Sequence, residues 1–279
     1  MFTKKDLLKL LLPLMVEQLL AVLVGMADVV MVAVVGEAAV SGVSLVDSIS
    51  VLIIQMLAAL ATGGSVVCAQ YIGRKEPEQA CRAAGQLLLV TTLVSAVIGA
   101  AAFLGNRHLL LMIFGNVEQD VLDNAVIYFW LSALSYPFLA VYNSCAALYR
   151  AMGNSKISMY VSLAMNAINI CGNAICVFGL HMGVEGVGIP TLVSRAFAAA
   201  AMVVLIQRPQ NLVRIQGLRS LRFEGGMIRR ILQVGVPNGM ENTMFQFGKL
   251  FLQSLVSTLG TAAIAGYAVA GNLVTFEYL

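Results

Sequence analysis

The stretch LAVLVGMADVVMVAVVG, from Leu20 to Gly36, carries a single charged side chain, Asp28. Comparable apolar runs recur at about 10–35, 43–71, 83–104, 124–149, 157–180, 184–206 and 231–258, and another starts near 262. About 20 apolar residues are enough for a helix to cross a bilayer. Inside hydrocarbon the backbone has no water to bond to, so each run must satisfy its own amides as a helix. The chain therefore reads as an all-α polytopic membrane protein. Composition agrees: 59% of the 279 residues are hydrophobic and 11% charged, with a mean hydropathy of +0.88. A soluble domain of that size needs a far more polar surface.

Lys4, Lys5 and Lys9 precede an apolar run too long for a signal-peptide core and without a small-residue cleavage site. The first run is thus expected to stay as a helix. The five cysteines form no C-x-x-C pair and read as small buried hydrophobes. With a cytoplasmic N-terminus, the basic residues from Lys4 to Lys9, Arg74 to Arg82, Arg150 to Lys156 and Arg208 to Arg230 all fall on the inner side, while Arg107 alone lies in an outer loop. This asymmetry sets the expected orientation in the plasma (inner) membrane of a prokaryote.

A shift of 224 residues aligns Pro13 with Pro237, Glu17 with Glu241, Gly36 with Gly260 and Gly42 with Gly266 in one ungapped register. An even number of helices separates the copies, so the two repeats run parallel, related by an axis along the membrane normal. Secondary transporters recurrently use this plan, with substrate handled between the halves. The expected layout is a six-helix lobe over 1–206, a basic cytoplasmic linker over 207–230 and the start of a second lobe over 231–279, comprising its first one to two helices. On this reading the chain is truncated within the second lobe.

Ionisable groups at membrane depth are costly and mark ion or ligand paths. Asp28 follows Glu17 by three helical turns, so both acids share one face. Asn166, Asn169 and Asn173 share a face of the fifth helix, and Thr191 and Arg195 lie one turn apart on the sixth. Amide and hydroxyl oxygens beside a carboxylate suit a hard cation such as Na⁺. Asn242, Gln246, Lys249 and Gln253 form a polar stripe on the seventh helix, with Glu241 offered as an ion-pair partner for Lys249. Asp47 and Gln55 are weaker cases, with Asp47 open to water near the outer end. The aromatics of the fourth helix read as interface belt and packing. ATGGSVV, from Ala61 to Val67, reads as close helix packing rather than a phosphate loop. No nucleotide-binding, hydrolase or zinc motif is present, so the chain is not read as an enzyme, no cofactor is expected, and transport would run on an ion gradient.

Taken in order, MADVVMVAVVGEAAVSG behind Pro13, ALATGGSVVCAQYIGRKEPEQA, ALYRAMGNSKISMYVSLAMNAINICGNAICVFG and GVEGVGIPT resemble the MATE (multidrug and toxic compound extrusion) transporters. The resemblance covers essentially the whole chain. It implies a two-lobe antiporter that expels organic cations and amphipathic drugs against inflowing H⁺ or Na⁺. The family's first-lobe cation site maps onto Asp28, Asn169, Asn173 and Thr191, and its helix 1 proline, a site of bending, onto Pro13. Many members have Asp where this chain has Asn173, which leaves one carboxylate fewer and favours proton coupling through Asp28. Glu17, Asn166, Arg195, Glu241, Gln246 and Lys249 are secondary candidates for the polar cavity. Expected partners are small-molecule organic cations, the lipid bilayer and either the missing second-lobe helices or a second chain; nucleic acid is not one. A lipid-linked precursor flippase of the same superfamily and a non-transporting remnant or half-transporter are the alternatives.

Overall fold

The computed structural model describes residues 4–115, 118–215 and 223–257. Side chains are described from Leu11 onward, and in the last helix those of Gln246, Lys249 and Gln253 are not among them. Seven α-helices follow one another: α1 (Lys4–Val35), α2 (Glu37–Gly73), α3 (Pro77–Phe114), α4 (Gln119–Ala151), α5 (Ser155–Ala174), α6 (Glu185–Ile206) and α7 (Gly225–Ser257). A π-helical turn, Ile175–Gly179, extends α5. No strand occurs among the described residues.

The helices end where the sequence supplies punctuation. Gly36, at φ +142°, separates α1 from α2 in a conformation that a side chain would strain. Pro77 opens α3, where its missing N–H costs nothing, and Gly115 (φ +70°) closes it. Pro13 and Pro237 lie inside α1 and α7; each removes one backbone hydrogen bond without breaking its helix.

Six helices, α1 to α6, are long and apolar enough to cross a membrane. They form the six-helix first lobe, and α7 is the first helix of the second. α7 has the length to span, at 33 residues, but is not among the six; Arg229, Arg230, Asn238, Glu241 and Asn242 dilute its apolar content. It begins at Gly225, ahead of the expected start at 231. The eighth run, from about 262, lies outside the described residues.

α4 sits centrally, packed against α2, α3 and α6, while α1 leans mainly on α5 and α7 on α2. Glycines set the closest approaches. A Cβ on Gly42 would sit 2.9 Å from the Ala125 nitrogen on α4, and one on Gly99 would sit 2.8 Å from the Ala133 oxygen. A Cβ on Gly63 would collide with the backbone of Gly235 on α7, and one on Gly64 with the Leu87 side chain on α3. The ATGGSVV stretch is thus a packing surface, as read. Large apolar side chains along α1, among them Leu12, Met15, Leu23, Met26, Val30 and Val34, are exposed, as befits a helix surrounded by lipid.

Two buried apolar clusters lie toward opposite ends of the bundle. One joins Tyr71, Leu87, Leu148, Tyr149 and Met202; the other joins Val32, Val46, Leu122, Phe129 and Tyr136. Cys68 and Cys145 are buried in the first, whereas Cys171 is exposed, so the reading of all five cysteines as buried fails there. Cys171 sits on the outward side of α5, between the asparagines, where small polarisable sulfur tolerates either environment.

Candidate functional site

Five helices line a cavity of about 210 Å³ toward the end of the bundle where α1 finishes and α2 begins. Asp28 reaches it from α1, Asp47 from α2, Tyr128 from α4, Asn166 and Asn169 from α5, and Thr191 and Arg195 from α6. Val24, Val32, Val43 and Val187 supply apolar wall between them. Polar and apolar groups share the wall about equally.

The helical period of α5 delivers its three asparagines together, and all three are buried. A chain of hydrogen bonds links them to α6 and α1. Thr191 donates its hydroxyl to the Val187 carbonyl at 2.8 Å, so its oxygen is left to accept from Asn169 Nδ2 at 3.0 Å. That fixes the Asn169 amide with its oxygen free to accept from Asn173 Nδ2 at 3.4 Å. The same Asn173 nitrogen donates to Asp28 Oδ1 at 2.7 Å. Asp28, Asn169, Asn173 and Thr191 are therefore one connected unit, although they come from three helices. Asn173 Oδ1 and Asn166 Nδ2 are buried without a hydrogen-bond partner. Leaving such an atom unpaired costs about 1–3 kcal/mol. The π-helical turn begins two residues after Asn173, and such turns cluster at functional positions.

Glu17 holds a different set of partners. Tyr142 donates to its Oε1 at 3.0 Å and Ser158 to its Oε2 at 3.2 Å. Glu17 does not line the cavity; it ties α1 to α4 and α5 one level away. Pro13 is buried one turn before it. The shared face of Glu17 and Asp28 is thus real, but the two acids face separate polar sets.

Arg195 donates to Ser135 on α4 at 2.6 Å, within the same cavity as the two aspartates. Asp47 is exposed, as read, and it also lines the cavity and accepts from Tyr128 at 3.4 Å. Sequence reasoning under-weighted Asp47 and missed Tyr128, Tyr142 and Ser135 as partners of charged groups. Tyr128, Phe129, Tyr136, Tyr142 and Tyr149 of α4 are buried, while Trp130 is exposed and stacks on Phe103 with ring centroids 5.5 Å apart. Only that outer part of α4 resembles an interface belt. Glu241 is exposed on α7. The proposed pairing of Glu241 with Lys249, and the roles of Gln246 and Gln253, fall on side chains outside the described residues. Among the described residues, no three His, Cys, Asp or Glu side chains gather as a metal site.

Comparison with known proteins gives a consistent picture. The MatE family model matches residues 13–175. The chain is 27% identical over 275 residues to the uncharacterized transporter YisQ of Bacillus subtilis, covering 96% of this chain and 59% of that protein. It is 26% identical over 283 residues to the probable multidrug resistance protein NorM of Thermotoga maritima, covering 99% and 60%. Among solved structures, a MATE protein in a bent conformation superposes with a TM-score of 0.89 at 21% identity, over 98% of this chain and 61% of that one. The chain spans about 60% of the length of the relatives it matches.

Proposed function

Because the chain belongs to the MatE family, we propose that it forms the ion-coupling lobe of an antiporter that exports organic cations and amphipathic drugs from a bacterial cell. NorM, to which it is similar, is described as a multidrug resistance protein. The observation that carries the reading is the bond from Asn173 to Asp28 at the edge of the cavity, together with the unpartnered Asn173 Oδ1 beside it. With Asp28 ionised, the amide nitrogen serves the carboxylate. With Asp28 protonated, a half-turn of the same amide offers an acceptor to the new O–H. The site thus has a partner for either protonation state.

This polarity bears on the coupling ion. Na⁺ needs oxygens turned toward it, whereas Asn173 turns nitrogen toward Asp28, and Asn169 turns nitrogen toward Thr191. The arrangement suits a proton carried on the carboxylate. An organic cation entering the cavity then displaces that proton by favouring ionised Asp28. Export follows when proton and drug bind opposite conformations preferentially. Pro13 is the bend point we assign in α1, in keeping with the bent conformation of the similar MATE structure. Further helices packed against α7, from the same or a second chain, complete the drug path.

The flippase alternative finds less support. Two carboxylates, Asp28 and Asp47, face one guanidinium, Arg195, across the cavity, whereas a lipid pyrophosphate calls for a cationic wall.

The test is ethidium binding to the detergent-solubilised chain, followed by fluorescence with a pH indicator in weak buffer. We expect ethidium to release protons, and Asp28→Asn to abolish the release and weaken binding about tenfold while helicity is retained. Proton release by Asp28→Asn equal to that of the unaltered chain would refute the role of this carboxylate.

A further inference from the structure

We propose that the cleft between the end of α2 and the beginning of α7 is a binding site for a phosphate monoester or diester group. This site lies away from the Asp28 cavity and does not depend on the transport reading. A cavity of about 280 Å³ opens there. α2 contributes Gln70, Tyr71 and Arg74, and α7 contributes Arg230 and Gln233. Gln70 and Arg74 are four residues apart, as are Arg230 and Val234, so each helix presents a single face to the cleft.

Every polar side chain in this cleft can donate, and none is acidic. Arg230 Nη1 donates to the Tyr71 hydroxyl at 2.6 Å. The phenol, having accepted, keeps its own proton to give. Arg74 is exposed, and its guanidinium has no hydrogen bond or ion pair among the described residues. Two guanidinium groups, a phenol and two amides thus line one cleft, with no acidic side chain among its lining residues. Guanidinium forks match the tetrahedral oxygens of phosphate.

The end of α2 would repel an anion if its last carbonyls were bare. They are not: the Gln70, Tyr71 and Ile72 oxygens accept from the backbone nitrogens of Arg74, Glu76 and Lys75 at 3.0–3.1 Å. Glu76 and Glu224 line the adjoining recess, which Tyr71, Arg74 and Arg230 also border; Glu224 sits 4.0 Å from Arg82, and neither glutamate pairs with Arg74 or Arg230 among the described residues. Val67 and Val234 form the apolar part of the wall, so an acyl chain leaving the phosphate would find greasy surface. Basic pockets between spanning helices are a recurrent setting for anionic lipid headgroups.

The experiment is native mass spectrometry and thermal unfolding of the detergent-solubilised chain with phosphatidylglycerol, phosphatidylcholine, oleate or inorganic phosphate. We expect phosphatidylglycerol to be retained and to raise the unfolding temperature, while phosphatidylcholine and oleate do neither. Arg74→Gln should weaken retention about fivefold, the order expected for one arginine near an anionic headgroup. Arg74 holds no other side chain in place, so this variant should keep its fold, checked by helical circular dichroism. Arg107→Gln, at the far end of α3, should leave retention unchanged. Stabilisation by inorganic phosphate that is also lost in Arg74→Gln would identify a soluble phosphate compound as the ligand of the same site. Equal retention by Arg74→Gln and the unaltered chain, or equal retention of oleate, would overturn the proposal.

Discussion

At the residue scale, the site turns on one carboxylate and the amides that serve it. Asn173→Asp would place a second acid 2.7 Å from Asp28, where the amide nitrogen now donates. Two carboxylates that close resist joint ionisation unless a proton or cation sits between them. We expect Na⁺, compared with choline at equal ionic strength, to raise the unfolding temperature of Asn173→Asp by several degrees and to leave the unaltered chain unmoved. Equal response to Na⁺ in both would show that Asn173 does not set ion preference. The asparagine face and Asp28 were legible in sequence because helical period and membrane cost act locally. Asp47, Tyr128 and Ser135 were not. Their role depends on which side of α2 and α4 meets α1 and α6, and that is decided by packing between residues far apart in the chain.

At the element scale, the joints between helices are made by missing side chains. Gly63 and Gly235 let α2 and α7 touch backbone to backbone. Gly63→Val would force them apart, and overpacking of this kind costs about 1–3 kcal/mol. The check is a lowered unfolding temperature in detergent, with Gly25→Ala as the comparison, since nothing lies within 4 Å of a Cβ there. Pro13 makes the opposite case. Its ring deprives α1 of one hydrogen bond, so Pro13→Ala should stiffen α1, measured as slower amide exchange over the first three turns. The length of each apolar run made α1 to α6 readable in advance. α7 was harder to delimit, because its basic first turn reads as loop until Met227, Ile228 and Ile231 are seen buried against α2 and α3.

At the scale of the molecule, lipid-facing and protein-facing surfaces are sorted without a polar exterior. α1 keeps much of its apolar surface exposed, and the buried polar groups gather between two apolar clusters. The basic residues cluster at the end of the bundle where α2 finishes and α7 begins. We expect a green fluorescent protein fused before Lys4 to fluoresce in the cytoplasm, and alkaline phosphatase fused after Phe114 to be active outside; the reverse pattern would invert the orientation. The parallel repeat could be aligned from sequence because Pro, Glu and Gly keep one register. Of its second copy, Pro237 and Glu241 lie in α7, while Gly260 and Gly266 fall outside the described residues, so only the pairing of α1 with α7 is described.

The Gly63–Gly235 seam has a mechanical consequence. Side chains at an interface absorb small displacements by changing rotamer, but a seam of bare backbone has none to change. Movement of α7 against α2 is then expected to pivot about that point, with Pro237, two residues on, weakening the helix just beyond it. The seam is a fulcrum, and the arginine cleft sits on the short arm beyond it. A small opening or shutting at that end is expected to tip the first turns of α7 about this point. An anion seated between Arg74 and Arg230 would act there as a wedge, holding the lever at one setting.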